Sequence, residues 1–437
     1  MRILVAAILL AVLAVSPARA IEVQRVVSPG GIEAWLVEDH TNPIIALNLA
    51  FRGGNALDPT GKEGLANMVS GLLDEGAGEY DSQAFQGRLE DLAVTLSFNA
   101  GRDAFSGRLR TLTENRDAAF DMLHLALTGP RFDEEPVGRI RQQILAGLRA
   151  DSENPSYIAR RTMSRSLYAG HPYGRPGRGT AESVAAFTAA DLHVFVGDRL
   201  GRDNLVVGVV GDIDKAALAA LLDSTFAALP AAAKPWRLRD QAPAARGDTM
   251  VIRKPVPQSW ILFAQPGVKR DDPDFYVAFV VNQVLGGSGF TSRLYDEVRE
   301  KRGLAYSIGS RLFPLNHTAL MVGSAGTANP RAGETVKLVR ATWRAMAENG
   351  PTEAELTDVK TYLAGSFPLR FSSSGHIARM LVGMQLENLG IDYLERRNGF
   401  IEAVTLDDAR RVARRLFDAD SLFVVVVGEP EGIDDAR

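Results

Sequence analysis

The chain has 437 residues, of which 46% are hydrophobic and 23% are charged, and it contains no cysteine. This composition and length are typical of a globular protein with two to three domains, which excludes disordered and collagen-like chains. The missing thiols exclude disulfides, thiolate metal sites and cysteine nucleophiles. A formal net charge of −4 provides no excess of basic residues for binding a nucleic acid.

The first twenty residues are typical of a secretory signal peptide. Arg2 is the positive segment, residues 3–15 (ILVAAILLAVLAV) are an apolar run, and residues 16–20 (SPARA) end in A-x-A. The apolar run is too short for the ~30 Å hydrocarbon core of a bilayer, so a membrane anchor is the weaker interpretation. We expect cleavage after Ala20 and a periplasmic or secreted chain. Cleavage removes Arg2 and Arg19, which leaves 47 basic and 53 acidic residues and a net charge of −6.

The first half of the mature chain alternates strand and helix patterns. Residues 32–37 (IEAWLV) and 44–51 (IIALNLAF) predict a β-hairpin, because residues 40–43 (HTNP) between them are typical of a turn. Further along, apolar spacing predicts a helix over residues 181–195, with Thr188 as a capping residue. The remaining predictions are helices at 65–73, 82–92, 116–128 and 136–149, two strands within 95–112, and a buried strand at 204–211.

The second half repeats this order of elements. Its patterns predict strands at 259–263, 305–312, 318–326 and 422–427, and helices at 273–285, 292–302, 331–349, 352–366 and 406–417. Three separated segments align between the halves at an offset of 217 or 218 residues: 187–192 with 404–409, 144–147 with 362–365, and 204–211 with 421–428. We infer an internal duplication, which gives two tandem homologous α+β domains.

The duplication divides the mature chain into an N-terminal domain over residues 21–230 and a C-terminal domain over residues 249–437. Residues 231–248 between them are rich in Ala and Pro, a composition typical of linkers. After the first twenty residues no stretch reaches 18 uninterrupted apolar residues, so we expect a soluble mature chain.

The six histidines form no recognisable metal motif. No two of them lie three to five residues apart, so both H-E-x-x-H and H-x-x-E-H are absent. The nucleophile motif G-x-S-x-G and the phosphate-binding motif G-x-x-x-x-G-K-[ST] are absent as well. Residues 286–289 (GGSG) lie between two predicted helices and follow no strand, which disfavours a dinucleotide-binding role.

One stretch of the second half resembles a peptidase family. Residues 289–294 (GFTSRL) and 298–307 (VREKRGLAYS) resemble the C-terminal-domain signature of the pitrilysin/insulinase zinc peptidases, whose relatives include the mitochondrial processing peptidases. The similarity extends over nearly the whole mature chain and includes residues 64–66 (GLA), 153–155 (ENP) and 170–174 (GHPYG). The resemblance implies that the two domains form a half-clamshell.

The resemblance also implies that a zinc site has been lost. Catalytic chains of the family carry H-x-x-E-H directly after Gly-Leu-Ala and a further Glu about 76 residues later; both His and the later Glu bind zinc, and the motif Glu is the general base. Here Asn67, Ser70 and Gly71 stand in the motif, and Gly147 stands at the third-ligand position. Because these residues supply neither good ligands nor a base, we expect no cofactor and no zinc in this chain.

The other half of the family's site is retained as Arg299 and Tyr306. The resemblance implies that the arginine binds a substrate carbonyl and that the tyrosine hydroxyl hydrogen-bonds a developing oxyanion. The spacing places Arg299 at a helix end and Tyr306 on the next strand, with Gly303 permitting the turn between them. Without the resemblance, a surface cation and a core aromatic residue would be the simpler interpretation.

Some family members divide the site between two chains. The resemblance implies that this chain is inactive alone and is the non-zinc subunit of an exported heterodimeric metallopeptidase. It would supply Arg299 and Tyr306 to a homologous H-x-x-E-H partner that holds the zinc, and the two chains together would process peptides.

Two alternatives stay open. One is a peptide-binding clamshell protein without proteolysis, holding an extended peptide at a sheet edge. The other is a structural subunit that resembles the core proteins of respiratory complexes.

Overall fold

The structure, a computed structural model, describes residues 21–287 and 291–433. The predicted signal peptide over residues 1–20 and part of the glycine-rich segment 286–289 lie outside the described residues. Within the described ranges, no helix is long and apolar enough to cross a membrane.

The first domain is a six-stranded sheet covered by helices. Its strands are β1 (Gln24–Val27), β2 (Glu33–Glu38), β3 (Ile44–Arg52), β4 (Thr95–Ala100), β5 (Ala104–Leu112) and β6 (Leu205–Gly211), in the order β1-β2-β6-β3-β5-β4. Its helices are α1 (Leu65–Ser70), α2 (Ser82–Asp91), α3 (Arg116–Thr128), α4 (Glu134–Glu153), α5 (Pro155–Leu167), α6 (Ala181–Ala186), α7 (Ala189–Arg199) and α8 (Lys215–Phe226).

The second domain has a five-stranded sheet in the order β7-β11-β8-β10-β9. The strands are β7 (Thr249–Arg253), β8 (Gln258–Pro266), β9 (Ala305–Leu315), β10 (Thr318–Ala328) and β11 (Phe423–Gly428). The helices are α9 (Phe275–Gly286), α10 (Ala332–Asn349), α11 (Glu353–Gly365), α12 (Ser374–Leu386), α13 (Tyr393–Glu402) and α14 (Leu406–Leu416). Residues 231–248, between the domains, form neither helix nor strand.

Five strands of the first sheet, all except β1, repeat the topology of the second sheet. β2 runs parallel to β6 as β7 does to β11, and the antiparallel series β6-β3-β5-β4 corresponds to β11-β8-β10-β9. The prediction of two tandem homologous α+β domains is therefore confirmed.

The predicted hairpin of β2 and β3 is wrong, because β6 lies between these strands. The sequence of β6, LVVGVVG, is apolar throughout, and its last five residues are buried. A strand that is apolar on both faces is most stable in the middle of a covered sheet. The four-residue turn therefore joins two strands that are not neighbours.

The predicted helix over residues 181–195 is interrupted. Thr188 begins α7 with a capping box: its hydroxyl accepts a hydrogen bond from Asp191 N, and the Asp191 carboxylate accepts one from Thr188 N. Such reciprocal bonds satisfy the free N–H groups of a new helix, so α6 ends before this point.

Helices α5 and α12 are exchanged between the domains. α5 packs on β8 and β11 of the second sheet, and α12 packs on β3 and β6 of the first. Gly208 of β6 permits this approach, since a Cβ on it would lie 2.7 Å from the backbone oxygen of Ala378 in α12. Gln385 Nε2 also donates to Val207 O at 2.8 Å. Each domain therefore completes the other's packing.

Candidate functional site

Helix α1, which carries the positions of the zinc motif, is held at its start by Asp58. The Asp58 carboxylate accepts hydrogen bonds from Gly64 N at 2.8 Å and from Ala66 N at 3.0 Å. The side chain is buried, and this burial raises the pKa of Asp58 to about 7, although both backbone N–H groups act in the opposite direction. The helix that would carry the metal ligands is therefore well anchored in this chain.

The motif positions on α1 offer no chemistry for a metal. Ser70 is buried, and its hydroxyl donates to the backbone oxygen of Asn67 at 2.8 Å. Gly71 follows as the residue that ends the helix. An amide, a hydroxyl used within its own helix and a glycine cannot replace two imidazoles and a carboxylate.

The third-ligand position, Gly147 on α4, is occupied by a neighbouring cation. A Cβ built on Gly147 would lie 2.7 Å from Nη2 of Arg178, and Nη1 of Arg178 is bonded to the carboxylate of Asp151. The guanidinium fills the space into which a ligand at position 147 would project. A permanent positive charge there opposes a divalent cation, so these residues do not fit zinc. No group of three or more His, Cys, Asp or Glu in the described ranges could hold a metal ion.

Arg299 lies in a π-helical turn. The predicted helix over residues 292–302 ends in such a turn at Tyr295–Glu300. After it, Gly303 takes the left-handed φ of 59°, and its N–H donates to Arg299 O at 2.9 Å. The prediction that Gly303 makes the turn is thus confirmed. A π-turn inserts an extra residue into the helix and so redirects the side chains that follow it, which is common at functional sites.

Tyr306 lies at a β-bulge near the start of β9. Ser307 pairs with Gly326 and Ala305 pairs with Thr327 on β10, which leaves Tyr306 as the extra residue. Bulges turn a side chain away from its regular direction, and the Tyr306 side chain is 81% exposed. The alternative interpretation of Tyr306 as a core aromatic residue is therefore wrong.

The structure brings Arg299 and Tyr306 together. The Arg299 guanidinium carbon lies 5.0 Å from the centre of the Tyr306 ring and 4.8 Å from the centre of the Tyr295 ring. Its Nε lies 3.8 Å from the nearer Glu300 carboxylate oxygen, which is a long ion pair. Cation–π contacts with the two rings hold the guanidinium in place, and its terminal N–H groups can donate to a carbonyl.

A cavity of about 700 Å³ lies beside this pair, and Arg299 and Tyr295 line it. Its walls come from α9, β9, the end of α11 and the residues that follow, up to α13. In the repeat, Gly365 at the end of α11 corresponds to Gly147, so the cavity occupies the place that the degenerate motif occupies in the first domain. The volume falls within the range of small-molecule and peptide sites.

Comparison with known proteins identifies the family. Residues 34–181 match the insulinase model of peptidase family M16, and residues 186–363 match the model described as the peptidase M16 inactive domain. A non-peptidase homologue, YmxG, of Helicobacter pylori is 30% identical over 336 residues, which are 76% of this chain and 77% of that protein. The chain belongs to the M16 peptidase family. The predicted resemblance to the pitrilysin/insulinase peptidases is confirmed.

Further M16 relatives agree with this assignment. An uncharacterized zinc protease of Streptomyces coelicolor is 26% identical and spans 90% of this chain and 86% of that protein. The crystal structure of a peptidase M16 inactive domain from Pseudomonas fluorescens has a TM-score of 0.88 and 30% identity, covering 95% of this chain and all of that one. Two tandem M16 domains of the half-clamshell type are thus confirmed. The matches support an inactive M16-family chain, and the lost motif gives the chemical reason.

Sequence reasoning did not identify Arg178. Its position outside every motif carries no signal, and only the geometry shows that its side chain lies against Gly147. By contrast, Arg299 and Tyr306 could be selected from the sequence because they lie in a run that resembles the family signature.

Proposed function

We propose that this chain is the non-zinc subunit of an exported, two-chain M16 metallopeptidase. It would bind peptides and supply Arg299 and Tyr306 to the site of a homologous H-x-x-E-H partner. The zinc would belong to that partner. Alone, the chain would have no peptidase activity.

The observation that carries this proposal is the contrast between the two domains. In the first domain, the ligand positions are lost and Arg178 fills the remaining space. In the second domain, Arg299 and Tyr306 are held together by a π-turn and a bulge, and Tyr306 is exposed. π-turns and bulges are both common at functional sites, where they redirect side chains.

The chemistry of the pair suits peptide hydrolysis at another chain's metal. The guanidinium donates to a peptide carbonyl and so fixes the substrate, and the phenol donates to an oxygen on which negative charge develops. Neither residue needs to change its protonation state for these roles. Both can therefore act in trans when a partner brings the reacting bond to them.

The proposal is tested by mixing. The mature chain and a zinc-motif M16 chain from the same organism are purified separately, and turnover of a quenched-fluorescence peptide is measured for each alone and for an equimolar mixture. We expect turnover only in the mixture. Activity of the partner alone that does not change on mixing contradicts the proposal and favours the structural alternative.

A second candidate function is peptide binding without proteolysis. The observation that favours it is strand β9, which lies at the end of its sheet and pairs only with β10 among the described strands. Its free edge lies next to the cavity, and an extended peptide could add to such an edge. Peptide affinity of the isolated chain, without turnover in any mixture, would select this alternative.

Export is part of the proposal and has its own test. Expressed with its full N-terminus in a bacterium, the chain should appear in the periplasm or the medium with Ile21 as its first residue. The measurement is N-terminal sequencing of the secreted product. A cytoplasmic product that still begins at Met1 contradicts export.

A further inference from the structure

The cavity beside Arg299 is basic. Four arginines line it, and none of the described residues that line it is Asp or Glu, although the whole chain has a net charge of −4. The four arginines come from separate parts of the second domain: Arg299, Arg311, Arg370 and Arg397. A concave surface that carries only positive charge attracts anions.

Arg397 is the most informative of the four because it is buried. Its side chain is 6% exposed, and its guanidinium stacks 4.1 Å from the centre of the Phe367 ring. Nη1 donates to Leu363 O at 3.1 Å and to Asn398 Oδ1 at 2.8 Å. All of these partners are neutral, and no carboxylate among the described residues forms an ion pair with Arg397.

A buried cation without an anion is costly. Burial lowers the pKa of Arg397; Tyr393 opposes this effect, and the nearby charge of Arg370 adds to it. Proteins usually pair such a charge, because desolvation without a counter-charge costs several kcal/mol. A carboxylate that entered the cavity would provide that counter-charge.

One further guanidinium is free to take part. Arg370 is exposed and forms no ion pair or hydrogen bond with the described part of the chain. Arg311, on the edge strand β9, pairs with Val322 of β10, so its side chain lies on the sheet face that α5 covers, 5.9 Å from the centre of the Phe313 ring. Elsewhere, exposed arginines are commonly paired, as Arg411 and Arg415 are with Asp274.

We propose that this cavity binds a carboxylate of the peptide that lies along β9. The inference rests on the proposed function for the nature of the ligand. Beside the arginines, the cavity has walls of Phe275, Phe279 and Tyr362, and the free edge of β9 adjoins it. Aromatic walls suit the body of a peptide, and guanidiniums bind carboxylates with two parallel hydrogen bonds. The chain therefore selects peptides with an acidic side chain or a free C-terminus near the cleavage site.

The test uses the isolated mature chain and four fluorescein-labelled decapeptides of one neutral backbone. The reference peptide is amidated, the second has one internal Glu, the third has a free C-terminal carboxylate, and the fourth has one internal Lys. We expect fluorescence anisotropy to show about tenfold tighter binding of at least one carboxylate peptide than of the reference, as one charge-assisted hydrogen bond supplies. The second and third peptides distinguish the two sources of carboxylate.

Two arginine variants then test whether the cavity causes the preference for a carboxylate. Arg370→Gln changes an exposed side chain and should fold normally, and Arg397→Met tests the buried cation. Both should reduce the preference for a carboxylate about tenfold. Arg344→Gln is the matched control, because Arg344 is exposed and pairs with Asp420 away from the cavity. Its preference should not change.

Equal affinity for all four peptides overturns the inference, and so does a carboxylate preference that survives in Arg370→Gln and Arg397→Met alike. This outcome can be told apart from failure of the proposed function. If the mixture with a zinc partner cleaves the neutral peptide while the isolated chain shows no preference, only the carboxylate site is wrong. If the preference holds and the mixture is inactive, only the peptidase role is wrong.

Discussion

At the scale of single residues, Arg178 distinguishes this chain from one that has merely lost its ligands. Its guanidinium lies where a side chain at position 147 would project, and Asp151 holds it there. A metal ion would have to displace a charge of its own sign. The first domain therefore differs from a zinc site both in the motif and in a residue outside it.

The position of Arg178 predicts that restoring the zinc motif alone does not restore full affinity for zinc. A chain with Asn67→His, Ser70→Glu, Gly71→His and Gly147→Glu should bind zinc at least tenfold more weakly than the same chain with Arg178→Ala added. The Arg178 guanidinium would repel the zinc ion and occupy the space that a side chain at position 147 needs. Together these effects would weaken binding by more than about 1 kcal/mol at short range. Isothermal titration with zinc measures both affinities.

The control for this experiment adds Arg344→Ala to the fourfold variant, which removes an exposed arginine of the second domain that pairs with Asp420. Equal zinc affinity with and without Arg178 would show that its guanidinium does not oppose the metal.

At the scale of elements, helices and strands were predicted most accurately where a single hydrophobic pattern determines the element. The all-apolar run of β6 and the spacing of α3 and α10 were sufficient to place these elements. The pairing of β2 with β3 was wrong because local turn chemistry does not show a strand inserted from 150 residues away. Helix α5 was missed although Asn154 and Pro155 form a clear start signal, an Asn cap followed by Pro at the first position.

The site was predictable only in part, for a similar reason. The positions of Arg299 and Tyr306 follow from the run that resembles the family. The exposure of Tyr306 depends on its pairing with β10, which puts the bulge at that residue. Arg397 lies on α13, apart from the strand and helices that supply the other cavity residues, so nothing local indicates that it lines the same cavity.

Asp58, at the start of helix α1, predicts how the free energy of unfolding depends on pH. Because burial raises the pKa of Asp58 to about 7, the folded chain keeps this proton while the unfolded chain loses it above its ordinary value near 4. The contribution of Asp58 to the free energy of unfolding therefore falls as pH rises from about 4 to about 7 and is constant above that. The sign is opposite to that of a salt-bridged carboxylate.

Asp58→Asn isolates this contribution. The free energy of unfolding of the wild type minus that of the variant should be larger at pH 5 than at pH 7.5, by on the order of 2 kcal/mol. Urea denaturation at both pH values measures it. A difference that is equal at both values, or larger at pH 7.5, would mean that Asp58 is ionised in the folded chain at pH 5.

At the scale of the whole molecule, the exchanged helices join the two domains into one unit. α5 completes the core of the second sheet, and α12 completes the packing of the first. Neither domain can unfold alone without exposing the apolar surface on which the other's helix lies. This packing fixes the position of the second domain, with its cavity and the Arg299–Tyr306 pair, relative to the first domain.

We therefore expect a single unfolding transition. Gly208→Ala places a Cβ 2.7 Å from Ala378 O and should cost about 1–3 kcal/mol, lowering the Tm of the whole chain. Gly138→Ala on α4 is the control, because a Cβ there meets nothing within 4 Å and alanine favours the helix. Calorimetry that resolves two transitions, of which only one shifts, would refute the coupling.

The most direct test of the account is the turnover of a neutral peptide by the mixture with a zinc-motif partner when Tyr306→Phe or Arg299→Ala replaces the wild-type chain. Tyr306 is 81% exposed, so loss of its hydroxyl should leave folding and pairing unchanged. We predict that kcat/KM falls on the order of 10²–10³-fold, as when one oxyanion donor is removed. Arg344→Ala should have wild-type turnover. Unchanged kcat/KM in both Tyr306→Phe and Arg299→Ala would contradict the account.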